Sequence, residues 1–166
     1  MRRRDRHRLT FGMHCKSSWI AGSSPAMTNE RSEGYPHPMP KRAVYSDRVF
    51  KGSLPFAQAT IAGGFMFVAC VGRDREGRFA AGDVGAQTQA CLDNIRALIE
   101  EAGGTMKDIV KCTVYVTGRE HWQPMNEVYF RNFAEDPPHR VSCIVSGLGS
   151  PECLVEIDAT AYLGKD

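Results

Sequence analysis

The sequence predicts an α+β domain in which two helices cover one face of a mixed β-sheet. Apolar residues recur at helical spacing in two segments, and the other apolar segments are the short runs typical of strands. Their order along the chain is β-β-α-β-α-β-β, with one extra short strand possible in front. Two helices can cover only one face of such a sheet.

The sheet is predicted to begin with a hairpin. Gln58–Ile61 and Phe65–Val71 read as strands joined by a Gly63-Gly64 turn, and Arg48–Lys51 is the candidate for the extra strand. Phe65–Val71 is apolar on both faces, so it requires cover on both sides of the sheet.

Two segments predict helices. Asp83–Gly103 has an N-cap residue in Asp83, an apolar stripe, and a Gly103-Gly104 terminator. Trp122–Phe133 is the second amphipathic helix, with Pro124 in its first turn.

Three further strands complete the prediction. Asp108–Val116 alternates apolar and polar residues, and Arg140–Ser146 and Cys153–Tyr162 are separated by a Gly/Ser/Pro turn. The last strand places Glu156 and Asp158 opposite most of its apolar residues. A charge inside a strand is costly unless it is paired, solvated or used.

Part of the second sheet face is also expected to be apolar, on the basis of Met66, Val68, Ile144 and Tyr162. A lone subunit would expose that face. A symmetric oligomer that packs sheet on sheet would cover it.

The first 45 residues differ in character from the predicted domain at 46–166. They lack periodicity and are rich in Arg, Ser, Gly and Pro, so we expect a disordered extension. The basic start resembles a transit peptide and could also be a nucleic-acid or membrane arm. We favour a start assigned too far upstream, with the true start near Met27.

Charge is distributed unevenly along the 166 residues. Residues 1–27 hold six basic residues and one acidic residue, whereas the other 139 hold 15 basic and 18 acidic residues. The net charge of −3 outside the first segment weakens any nucleic-acid interpretation based on charge. No window approaches the length of a membrane span.

Six cysteines are present, but none forms a CxxC pair and no His lies at metal-ligand spacing. Cys70, Cys112 and Cys143 fall inside predicted strands, where free cysteine behaves as a small buried hydrophobe. We predict reduced core cysteines in a cytoplasmic protein, without a metal site.

Six segments, taken together, resemble the RidA family, also called the YjgF/YER057c/UK114 family. They are PFAQAT, AQTQACLDNIRALIEEAG, DIVKCTVYV, NEVYFRNF, PPHRVSCIV and VEIDATA, and they cover Ser53 to Tyr162 in order and in spacing. The resemblance implies a chorismate-mutase-like subunit in a homotrimer, with the sheets facing inward and clefts between neighbours. The best-known members hydrolyse enamines and imines, such as 2-aminoacrylate and 2-iminopropanoate, to 2-keto acids and ammonia without a cofactor.

Arg140 and Glu156 are the catalytic residues that the resemblance implies. Arg140 matches the arginine that binds the substrate carboxylate, a task that suits a planar guanidinium. Glu156 matches the glutamate that handles the attacking water, provided that burial lifts its pKa towards neutrality. The structural alternatives are an arginine in a surface ion pair and a solvated glutamate. Asp158 is interpreted as structural.

Asn126 and Ser142 are implied as substrate-binding residues. Asn126 matches an asparagine of the second helix, and a purely structural role is the alternative. Ser142 stands where the best-known members carry a cysteine, and it could present its backbone N–H to the substrate. Cys143 is expected to point into the core.

Phe56 and Cys70 are the two departures at the implied substrate-binding wall. Phe56 replaces a common tyrosine and Cys70 replaces a serine, so the wall is more apolar and substrate preference could shift. In the comparison that the resemblance implies, the turn at 149–154 is also one residue longer. A nucleophilic Cys70 is the less favoured alternative, because only His121 and His139 lie in the matching segments to activate it.

We therefore predict a homotrimeric, cofactor-free deaminase of small 2-imino acids, with no nucleic-acid or membrane partner. The first alternative is a non-catalytic trimeric protein of the same family that binds a small metabolite. The second is an RNA-cleaving or translation-inhibiting role.

Overall fold

A six-stranded mixed sheet with two helices on one face forms the part of the chain that the computed structural model describes, residues 41–53 and 55–164. Its elements are β1 (Arg42–Val44), β2 (Ala59–Ala62), β3 (Phe65–Val71), α1 (Val84–Glu101), β4 (Ile109–Val116), α2 (Trp122–Asn132), β5 (His139–Ile144) and β6 (Val155–Tyr162). The predicted fold class and both helices are confirmed.

The strands lie in the order β1-β2-β3-β6-β4-β5. Neighbours pair antiparallel except β4 and β5, which are parallel and are connected through α2. The last strand of the chain, β6, therefore lies in the interior of the sheet. A parallel pair needs such a crossover, and the helix supplies it.

The first helix begins and ends where the sequence indicated. The Asp83 side chain accepts a hydrogen bond from the Ala86 N–H at 2.9 Å, which caps α1. Gly103, with φ of +86°, reverses the chain after the helix. Neither described helix is long and apolar enough to cross a membrane.

The second face of the sheet carries exposed apolar side chains, as expected. Tyr162 lies there opposite Phe65, but the other three expected residues do not. Phe65 is 40% exposed and Phe67 is 50% exposed on the face that no helix covers, which we call the open face. Met66 and Val68, expected there, are buried beneath the helices. Ile144 pairs with the core residue Val116 and shares its helix-covered face. When both sets of alternating side chains in a strand are apolar, the sequence cannot indicate which set faces the helices.

A short strand precedes the predicted boundary at residue 46. β1 lies inside the predicted extension 1–45 and pairs with β2, with Val44 opposite Ala59 in the core. The predicted strand at Arg48–Lys51 is wrong, because this segment forms a turn and a bend. A three-residue edge strand has too little alternation to be recognised in a sequence. The predictions for 1–40, including the start near Met27, concern residues outside those described.

The described cysteines are unpaired. All five are free, and four of them are buried, including Cys70 and Cys112 of the three predicted core cysteines.

A buried glutamine joins α1 to the segment that leads into β6. Gln87 donates from Nε2 to the carbonyl oxygens of Ala80 and Glu152, each at 2.9 Å. Its Oε1 accepts from the Leu154 N–H at 2.9 Å. The side chain is fully buried, so these three backbone groups supply the hydrogen bonds that its amide cannot form with water.

We expect Gln87→Leu to lower the free energy of unfolding by about 3 kcal/mol, because it leaves three backbone groups without partners. Urea unfolding monitored by circular dichroism measures the change. Gln123→Leu, at an exposed position of α2, is the control and should change stability by about 0.5 kcal/mol or less. Equal stability of the two variants would contradict the role assigned to Gln87.

Candidate functional site

Arg140 lies beneath α2. It pairs with Cys112 across β4 and therefore occupies the helix-covered face of the sheet. Its Nη1 donates to Asn126 Oδ1 at 2.8 Å. The guanidinium carbon lies 4.6 Å from the ring centre of Tyr129 and 5.0 Å from that of Phe130. Cation–π contacts and the amide hold the guanidinium in one orientation. We call Arg140, Asn126, Tyr129 and Phe130 the Arg140 cluster.

The charge of Arg140 has no ion-pair partner among the residues that the structure describes. This finding contradicts the alternative in which Arg140 is a strand-edge residue in a surface ion pair. An oriented guanidinium that retains free N–H donors can bind a carboxylate through two parallel hydrogen bonds.

Ser142 lies two residues farther along β5, on the same face as Arg140. Its hydroxyl is buried and has no hydrogen-bond partner in the described part of the chain. A buried hydroxyl without a hydrogen-bond partner is unfavourable. A ligand that supplies an acceptor to Ser142 would therefore bind with a more favourable free energy.

Cys143 is not in the core, contrary to expectation. It pairs with Tyr115 and shares the open face, whereas Ser142 pairs with the buried Val114. The register of β5 on β4 decides the face of each residue, and a sequence does not contain that register.

Glu156 and Asp158 lie on the open face of β6. Both are partly buried, and every second residue of the strand is buried beneath the helices. Burial raises the pKa of the Glu156 carboxyl, and the nearby charge of Asp158 raises that pKa further. Glu156 thus holds its proton at higher pH than an ordinary carboxyl, as an acid–base residue requires.

A groove of about 860 Å³ runs beside these carboxylates. Its lining includes Phe56, Phe67, Arg73, Phe79, Glu156 and Asp158, and we call it the Glu156 groove. Phe56 is 68% exposed at this groove. No group of three His, Cys, Asp or Glu side chains in the described residues could hold a metal ion.

The predicted site is therefore divided into two halves. Glu156, Phe56 and Cys70 border the groove, whereas Arg140, Asn126 and Ser142 do not line it. Arg140 lies on the helix-covered face and Glu156 on the open face, so the sheet separates their side chains within one subunit.

Cys70 is a core residue at the edge of the groove. It pairs with Ile157 beneath the helices and is 7% exposed. Burial raises the pKa of its thiol to about 12, with a smaller contribution from the charge of Glu156. Such a thiol remains protonated, which argues against the alternative of a nucleophilic cysteine. His139 does not activate it, because it is exposed on β5 and pairs with Lys111.

Sequence reasoning missed the aromatic rings around Arg140 and the arginine in the groove. Asn126, Tyr129 and Phe130 have the i, i+3, i+4 spacing of one helix face, so this signal was available. Arg73 lies in a polar loop, and nothing in its local sequence distinguishes it from the neighbouring arginines.

The part of the chain that matches known proteins includes both halves of the site. The family model of endoribonuclease L-PSP matches residues 48–163. A RutC family protein of Pyrococcus abyssi is 39% identical over 126 residues, which are 75% of this chain and 98% of that protein.

Solved structures show the same fold. A Thermotoga maritima protein described as a candidate endoribonuclease aligns with a TM-score of 0.70 at 34% identity, over 75% of this chain and 98% of that chain. RidA from an Antarctic Psychrobacter aligns with a TM-score of 0.68 at 28% identity, over 73% of this chain and 98% of that chain.

The raised pKa of Glu156 predicts a pH-dependent stability difference. Above the ordinary value of 4.5, the folded protein keeps a proton that the unfolded chain has lost. The free energy of unfolding of the wild type therefore falls as the pH rises from 4.5 through the folded pKa. Glu156→Gln should lack this fall and gain stability relative to the wild type across that window.

Urea unfolding at roughly pH 4 to 8 measures this difference. Glu152→Gln, which removes an exposed carboxylate from the preceding turn, is the control and should retain the wild-type fall. Parallel curves for the wild type and Glu156→Gln would show that the pKa of Glu156 is not raised.

Proposed function

Because the chain belongs to the endoribonuclease L-PSP family, which contains the RidA and YjgF proteins, we propose that it hydrolyses small 2-imino acids and their enamine tautomers. The products are a 2-keto acid and ammonia. The observation that carries the proposal is the Arg140 guanidinium, oriented by Asn126 and two aromatic rings and left without a carboxylate partner in the described residues.

Substrate binding would begin at the Arg140 cluster. The substrate carboxylate takes two N–H donors of Arg140, while Asn126 and the aromatic rings keep the fork in plane. Ser142 lies beside this position and supplies its hydroxyl or its backbone N–H. The carboxylate thereby fixes the position of the imine carbon.

Glu156 would handle the water. Its carboxylate accepts a proton as water attacks the carbon of the protonated imine, which gives a neutral carbinolamine. The protonated Glu156 then donates to the nitrogen and the C–N bond breaks. The carbonyl forms as the hydroxyl proton passes to Glu156, and the departing ammonia carries that proton away as ammonium. A carboxyl whose pKa is raised by burial is suited to these proton transfers.

A complete site would require two subunits. Arg140 and Glu156 lie on opposite faces of the same sheet, so a single substrate meets both only when Glu156 comes from a neighbour. The exposed Phe65 and Phe67 beside β6 support burial of the open face in the homotrimer that the family resemblance implies.

Replacement of Arg140 tests the carboxylate-binding role. We expect Arg140→Ala to lower kcat/KM by about 100-fold or more. Arg140→Lys should recover only part of the lost kcat/KM, because lysine cannot form the planar fork. The substrate is 2-iminopropanoate made in situ from alanine by an amino-acid oxidase, and semicarbazide traps the imine that escapes hydrolysis.

Arg131→Ala, at an exposed position of α2, is the matched control and should retain activity. No acceleration by the wild-type protein would refute the proposed activity.

Mixing two inactive variants tests the shared site. Arg140→Ala and Glu156→Ala subunits, unfolded together at equal ratio and refolded, should recover about a quarter of wild-type activity, because one interface in four combines an intact Arg140 with an intact Glu156. Each variant refolded alone should remain inactive. If the mixture also stays inactive while native mass spectrometry shows mixed trimers, both residues act within one subunit.

RNA cleavage is the second candidate, because the Thermotoga relative is described as a candidate endoribonuclease. The Glu156 groove presents two carboxylates, which would repel a phosphate backbone. Cleavage of a labelled RNA by the wild type, without imine hydrolysis, would favour this candidate. A third possibility, metabolite binding without turnover, is rejected if Glu156→Ala abolishes a measured turnover.

A further inference from the structure

Arg73 lies at the groove with its guanidinium held by aromatic rings. It follows β3, and an isolated β-bridge pairs it with Phe79. The guanidinium carbon lies 4.4 Å from the ring centre of Phe79 and 5.7 Å from that of Phe50. Nη1 donates to the Gly77 carbonyl oxygen at 3.0 Å. The side chain lines the same groove as Glu156.

The acidic residues of this loop are already paired with another arginine. Arg78 pairs with Asp74 at 2.8 Å and with Glu76 at 2.9 Å. Arg73 has no ion pair within the described ranges. Because only one of its N–H donors is used by Gly77, the others remain available to a ligand.

The backbone at Arg73 is held in place. Its carbonyl oxygen accepts from Asn94 Nδ2 at 2.9 Å, which ties it to α1. At the preceding Gly72, an added Cβ would collide with the Gln87 carbonyl oxygen, so the chain packs directly against the helix. The cation is thus presented from a fixed position, which favours selective binding.

We propose that Arg73 binds a second anionic group on the substrate, so that 2-imino dicarboxylic acids are the preferred substrates. This inference rests on the proposed function. The Arg140 fork takes the carboxylate next to the imine carbon, and Arg73 takes the distal one. Asp158 lines the same groove and repels the distal carboxylate, which therefore lies towards Phe50 and Phe79.

The chemistry is the same hydrolysis. Water adds to the imine carbon, the C–N bond breaks, ammonia leaves and a carbonyl forms. Both carboxylates pass through the reaction unchanged, and no further reactant is required.

The experiment compares 2-iminosuccinate with 2-iminopropanoate, made in situ by amino-acid oxidases from aspartate and alanine. The wild type should hydrolyse the dicarboxylic imine with the higher kcat/KM. Arg73→Met should lose roughly 10- to 100-fold on this substrate and less than about 3-fold on 2-iminopropanoate. Arg73→Lys should recover part of the loss. Arg75→Met, which removes an exposed arginine of the same loop that does not line the groove, should match the wild type.

The outcomes separate this inference from the proposed function. A wild type that hydrolyses neither imine overturns both. A wild type that hydrolyses 2-iminopropanoate without preferring the dicarboxylic imine overturns only the role of Arg73, and so does a preference that Arg73→Met preserves.

Arg73 also braces its loop, so Arg73→Met could unfold. In that case the inference is tested on the wild type, by measuring its inhibition by the products of the two reactions, oxaloacetate and pyruvate. Oxaloacetate should inhibit at lower concentration than pyruvate, and equal inhibition overturns the inference.

Discussion

The alternation of β6 is the constraint on which the rest of the structure depends. This strand lies between β3 and β4, with Ile157 opposite both Cys70 and Val114 in the core. Glu156 is consequently opposite Val71 and Tyr115, on the open face. A shift of one residue would bring two carboxylates into the core and expose the apolar residues, at a cost that no local contact could offset. The packing of the core thus fixes the position of Glu156.

The parallel pair at the other end of the sheet places Arg140 on the opposite side. The crossover through α2 sets the helix above β5, and Asn126, Tyr129 and Phe130 hold the guanidinium from above. A partly buried cation without a carboxylate is not an arrangement that favours stability by itself. The amide and the rings offset part of that cost, and an anionic ligand would offset more. In the proposed two-subunit site, assembly would contribute to catalysis as well as to stability.

Periodicity predicted the helices and most strands to within a few residues, since both helices and β4 each bury one regular set of side chains. The motif resemblance indicated Arg140 and Glu156 as candidate site residues. Which face each residue occupies was harder to predict, because it depends on strand register between distant segments. For this reason Cys143 and Met66 were placed wrongly. Arg73 was overlooked because it lies in a polar loop beside other arginines, and the three-residue β1 was too short to show a pattern.

The raised pKa of Glu156 also bears on which substrates the groove can admit. Asp158 repels anions there, and an ionised Glu156 would double that repulsion next to the reacting carbon. A Glu156 that holds its proton removes one of the two negative charges, while Arg73 adds a positive one at the same groove. The groove then approaches neutrality when Glu156 is protonated and becomes negative when it ionises. In the proposed mechanism Glu156 must be ionised to accept the proton of water, which is the state that repels an anionic substrate most, and the positive charge of Arg73 offsets part of that repulsion.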